Sequence, residues 1–114
     1  MNDKQRAEEI KKRTDTGIPA TAIIVLSSAV SRKRSHVLIV HLVLNIKPPD
    51  RDVYRGITDW NVSDEIAASQ YQKGQSVAVR IDADNPEIVY PGVPWATFYD
   101  PTRDTDLAFK RRLF

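Results

Sequence analysis

The sequence predicts a mainly β fold: a small antiparallel five-stranded barrel-like domain with short helices at the N- and C-terminal ends. Three features carry that expectation. Ser35 to Lys47 is apolar at nearly every position, Gln75 to Asp82 alternates apolar with polar residues, and turn-forming residues separate such runs at short intervals. A chain of 114 residues fits one domain. At that size roughly two-thirds of the unfolded surface can be buried without a disulfide or a structural metal. Residues 1–15 read as a helical extension, 16–92 as the β-barrel-like domain, and 93–114 as a tail whose short helix packs on the domain or on a partner.

From Asn2 to Arg13 the residues are strong helix formers, Asn2 or Asp3 can cap, and Lys4–Glu8, Glu8–Lys12 and Glu9–Arg13 have the spacing of side-chain pairs on one helix. Only Ala7 and Ile10 offer apolar surface, so such a helix is marginal unless the domain body holds it. Thr16, Gly17 and Pro19 end it. Ala20 to Val30 is β-branched and apolar and reads as the first strand.

The second strand, Ser35 to Lys47, is the strongest. His36, Leu38, Val40, Leu42, Leu44 and Ile46 share one parity and Val37, Ile39, His41, Val43 and Asn45 the other, so both faces are largely apolar. A strand so built needs cover on both sides. The sources available are the C-terminal segment with Trp95, Phe98 and Tyr99, the N-terminal helix, or a second copy of the chain. Arg32, Lys33 and Arg34 lie in the connection of this first hairpin, and Pro48 and Pro49 stop the second strand by removing backbone donors.

Val53 to Val62 reads as a third strand in which Gly56 points to a bulge or bend. Ser63 to Gln72 reads as a short helix or turn closed by Gly74. In Gln75 to Asp82, Val77, Val79 and Ile81 alternate with polar and small residues. The turn Asp84-Asn85-Pro86 follows, then a fifth strand from Glu87 to Tyr90. Pro91, Gly92 and Pro94 break the pattern, and Asp104 can cap a last helix running toward Arg112.

The segment Thr16-Gly17-Ile18-Pro19-Ala20-Thr21-Ala22-Ile23, the long apolar strand after it, and Gly74 to Asp82 followed by Asp84-Asn85-Pro86-Glu87 and Val89 carry a likeness. Over about Thr16 to Tyr90 the chain resembles an uncharacterised bacterial small β-barrel-like domain with an opening glycine strand and a closing G-x-x-V-x-V-x-x-D-x-x-N-P pattern. The resemblance implies architecture and carries no catalytic residues. Domains of that kind are often attached to membrane segments, whereas this chain lacks such a segment and has an extended C-terminal tail.

The absence of cysteine excludes thiol catalysis, thiolate metal sites and disulfides together, and fits a cytoplasmic protein. No apolar run is long enough for a membrane-spanning helix. Lys and Arg number 17 against 15 Asp and Glu, a net charge of +2 that is too small to imply a nucleic-acid or membrane partner by itself. His36 and His41 are five residues apart and face opposite sides of their strand, which argues against a shared metal. Asp82, Asp84, Asp100, Asp104 and Asp106 match no cation-binding loop and sit where turns and caps favour aspartate. No serine stands in a Gly-x-Ser-x-Gly elbow.

What remains is binding. The leading expectation is a noncatalytic interaction module without a cofactor. It self-associates, with a dimer favoured, through Val37, Ile39, His41, Val43, Trp95, Phe98 and Tyr99. The alternative is nucleic-acid or polyanion binding through Arg32, Lys33 and Arg34, joined by Lys47, Arg51 and Arg55. Against it, basic residues flanking an aggregation-prone strand protect that strand without any ligand.

Overall fold

The computed structural model describes residues 3–31, 37–63, 65–66 and 70–99. One helix, α1 (Asp3–Asp15), precedes six strands: β1 (Ile18–Ser31), β2 (Val37–Lys47), β3 (Tyr54–Ser63), β4 (Ser76–Ile81), β5 (Val89–Pro91) and β6 (Ala96–Phe98). The strands form a single antiparallel sheet in the order β5-β4-β1-β2-β3-β6, curled into a nearly closed barrel.

Parity places the core. From β2, Val40, Leu42, Leu44 and Ile46 point inward to meet Ala22 and Ile24 of β1, Trp60 and Val62 of β3, and Val79, Ile81 and Val89. Leu42, Leu44, Ile24 and Trp60 are wholly shielded from solvent, and each fully buried aliphatic or aromatic side chain of this kind contributes about 1.5–3 kcal/mol. Tyr71 closes one end of the core, its ring edge-on to Trp60 with centroids 5.9 Å apart.

Closure is made by side chains. The Val89 carbonyl accepts hydrogen bonds from Thr58 Oγ1 at 2.7 Å and Trp60 Nε1 at 3.2 Å, which ties the free edge of β5 to β3. Tyr90 and Phe98 meet edge to face, centroids 5.1 Å apart, across the gap between β5 and β6.

Two expectations change. The sheet has six strands rather than five, because Ala96–Phe98 pairs with Trp60, Asn61 and Val62. Three residues after a Pro-Gly-Val-Pro run are too few to show a period. The helix expected at the N-terminal end is α1, Glu65, Ile66 and Gln70 are also helical within the segment read as a short helix or turn, and the helix expected from Asp104 toward Arg112 lies outside the described residues. Gly56 also marks no bulge: β2 and β3 stay in register through it. It answers a packing need, since a Cβ there would lie 2.5 Å from Ile46 Cδ1. The irregularity falls instead in β1, between Ile24 and Leu26.

Helix α1 touches the barrel at its last turn. Thr14 Oγ1 and Thr16 Oγ1 donate to the Ile10 and Lys12 carbonyls, closing the helix, and Arg13 Nη1 lies 3.5 Å from Asp82 Oδ2 beyond the end of β4.

Candidate functional site

The outward face of β1, β2 and β3 is built from cross-strand rows fixed by the register. Ile23, Asn45 and Arg55 form one row; Leu26, Val43 and Ile57 the next; then Ser28, His41 and Asp59; then Val30, Ile39 and Asn61, extended to Thr97 of β6. The second row is wholly apolar, with its two outer members open to water and Val43 half-buried between them. Leu26 is 57 % exposed and Ile57 53 %, with Ile23 at 45 % beside them. Within one row, side chains on adjacent strands are direct neighbours. The exposure is therefore one contiguous strip rather than scattered residues.

The expected interface residues divide between two places. Val37, His41 and Val43 are half-buried on this outward face, while Ile39, on the same face, is only 2 % exposed. The Tyr99 N–H donates to the Asp59 carbonyl at 2.8 Å, which fixes that residue beside the same rows. Trp95 and Phe98 engage other partners: Trp95 Nε1 donates to Tyr71 Oη at 3.2 Å, and Phe98 packs on Tyr90. Leu26, Ile57 and Ile23 are the exposed large apolar side chains of β1 and β3, with Val53 and Trp95 exposed elsewhere, and parity alone does not single them out. The register brings them together on either side of Val43.

The row Ser28–His41–Asp59 has a familiar order of side chains. His41 Nδ1 and Asp59 Oδ1 are 2.9 Å apart, with Asp59 buried and the imidazole one-third exposed. Ser28 faces His41 across the β1–β2 ladder without a side-chain hydrogen bond to it. The nucleophile–base contact that acyl transfer requires is therefore not made. Among the described residues, no three His, Asp or Glu side chains are grouped to hold a metal ion.

Of the expected basic residues, Lys47, Arg51 and Arg55 fall among the described ones. Arg32, Lys33, Arg34 and His36 lie outside the described residues, in the connection that ends where β2 begins at Val37. Lys47 closes the far end of that 11-residue strand. Arg51 and Arg55 line an open groove of about 800 Å³ together with Tyr54, Ile57 and Pro86, where Asp52 and Glu87 answer their charge. Tyr54 Oη donates to the Pro86 carbonyl at 2.7 Å, and burial pushes its phenol above the ordinary tyrosine range against the opposing pull of Arg51.

Asp82, read from the sequence as a turn residue, organises the other end of the barrel. Its Oδ1 accepts the N–H groups of Asp84 at 2.9 Å and Asn85 at 3.0 Å, and its Oδ2 accepts the Tyr90 hydroxyl and faces Arg13. Burial works to raise this carboxyl. The Tyr90 hydroxyl, the two backbone donors and the Arg13 charge outweigh it and hold the group below the usual aspartate value. Asp84 also approaches Arg13, at 3.8 Å, whereas Asp100, Asp104 and Asp106 lie outside the described residues.

No helix among the described residues is long and apolar enough to cross a membrane. Comparison with protein-family models, with curated proteins and with solved structures finds no match for this chain.

Proposed function

We propose that this domain is a noncatalytic assembly module that self-associates through the β1–β2–β3 side of its sheet. One observation carries the reading: the apolar row Leu26–Val43–Ile57, flanked by Ile23, is contiguous, and Leu26, Ile57 and Ile23 are open to water on a face that bears few charges. Apolar strips of this kind mark interaction surfaces, and the hydrophobic effect favours covering them.

Light scattering on a sizing column tests it. The wild-type chain is expected to elute as a dimer at micromolar concentration, and Leu26→Lys as a monomer with an unchanged circular-dichroism spectrum, since Leu26 faces solvent within one copy. A wild-type chain that is monomeric throughout would overturn the reading.

Polyanion binding through Arg32, Lys33 and Arg34 is the weaker proposal. Lys47, Arg51 and Arg55 gather at the other end of β2, and the groove beside Arg51 and Arg55 is charge-balanced by Asp52 and Glu87. It requires affinity for single-stranded nucleic acid or heparin that falls steeply with salt and is lost when the three turn residues become alanine.

A further inference from the structure

Strand β1 outruns its neighbour on one side. β2 pairs with it from Thr21 to Ser31, but β4 pairs only from Ile18 to Ile23. Beyond that point Gln75 and Gly74 take the N–H and C=O of Ile24, and β4 ends its contact. From Val25 to Ser31 this edge of β1 meets no strand among the described residues.

The direction of its backbone groups follows from the register. Ile24 sends both of its groups to the β4 side, and the extra residue at Val25 resets the alternation along β1. The N–H and C=O of Ser27, Ala29 and Ser31 therefore point away from β2, into the open edge. Leu26, Ser27, Ser28 and Ala29 are all exposed there. Edges of sheets are normally blunted by charge, proline or cover. This one, Val25-Leu26-Ser27-Ser28-Ala29-Val30-Ser31, carries neither charge nor proline.

We propose that this edge pairs antiparallel with the same edge of a second copy, across a twofold axis at Ser28. The inference rests on the self-association reading and names a contact between copies at the edge of β1, beside the apolar row rather than over it. An antiparallel pair of identical strands is self-complementary, because each residue meets the same partner from either side. With Ser28 on the axis, Ser27 exchanges both ladder hydrogen bonds with Ala29 of the partner subunit, and Ala29 with the partner's Ser27. Leu26 then lies against Val30 of the partner subunit on the outward face, covering part of the most exposed apolar side chain of β1. No like charges are opposed, and the apolar rows of the two copies join into one face.

Two variants test the geometry. The chain has no cysteine, so Ser28→Cys introduces a single thiol. Opposed residues of a non-hydrogen-bonded antiparallel pair have Cα atoms about 4.5 Å apart, within disulfide reach. Mild oxidation is expected to convert nearly all of Ser28→Cys to a covalent dimer, and to leave the control Ser76→Cys monomeric on a non-reducing gel. Ala29→Pro removes an N–H that points to the partner and leaves the β1–β2 ladder intact. It is expected to weaken the dimer by on the order of 100-fold, with an unchanged circular-dichroism spectrum.

A dimer that survives Ala29→Pro, or a Ser28→Cys chain that does not cross-link, overturns the edge pairing while leaving self-association through the outward face standing. A monomeric wild-type chain overturns both. If Ala29→Pro does not fold, the cross-link alone decides.

Discussion

Replacing Asp82 with alanine is expected to cost about 3–5 kcal/mol of folding stability, a large effect for a side chain outside the hydrophobic core. Its carboxylate is almost wholly buried and serves the Asp84 N–H, the Asn85 N–H and the Tyr90 hydroxyl. Hydrogen bonds to a charged group contribute about 1.5–3 kcal/mol, and a buried hydroxyl left without an acceptor costs about 1–3 kcal/mol. The turn donors lie nearer the surface and recover part of their loss from water. Arg13 is half exposed and adds little.

For a domain of this size such a loss lowers the melting temperature by at least roughly 12 °C, read by circular dichroism alongside urea denaturation. Asp82→Asn keeps one oxygen for the two backbone donors and is expected to lose about half as much. The pH dependence has a definite sign. Asp82 sits below its usual value in the folded chain. Its contribution is therefore complete above the ordinary aspartate range near about pH 4 and is lost as pH falls through the folded value. The asparagine variant lacks that acid-sensitive part. If Asp82→Ala stays within about 1 kcal/mol of wild type, the network does not hold this end of the barrel.

Other outcomes follow from the core and its closure. Leu42→Ala, at a position with no solvent exposure, is expected to cost about 2–5 kcal/mol in urea denaturation. Gly56→Ala places a methyl against Ile46 Cδ1 and is expected to cost about 1–3 kcal/mol by overpacking, unless the Ile46 side chain turns away; pairing it with Ile46→Val should recover part of the loss. Tyr90 is held well above the ordinary phenol value, first by burial and then by Asp82. Its contribution is present below about pH 10 and is lost as pH rises beyond that, so alkaline melting of the wild type should exceed that of Tyr90→Phe in steepness.

Much of the barrel was legible from side-chain period alone. Val40, Leu42, Leu44 and Ile46 fall on one face of β2, and that parity is the core. The alternation of Val77, Val79 and Ile81 with the Asp84-Asn85-Pro86 turn located the second hairpin. What escaped were features set by long-range register. β6 is three residues long and owes its pairing to β3. The bulge sits at Val25, among residues that carry no glycine or proline to mark it, while Gly56 is explained by one methyl group of Ile46. The exposed strip followed neither expected grouping in full: Val43 belongs to it, but Leu26 and Ile57 join it only through the cross-strand register that sets them on either side of Val43. Asp82 read as a turn residue because its partners Arg13 and Tyr90 are distant or out of pattern.

Sedimentation equilibrium over a wide range of protein concentration tests self-association most directly. The average mass is expected to climb from 12.9 kDa in dilute solution to twice that value as concentration rises, with Leu26→Lys holding at the lower mass. A wild-type chain that stays at 12.9 kDa across the whole range contradicts it.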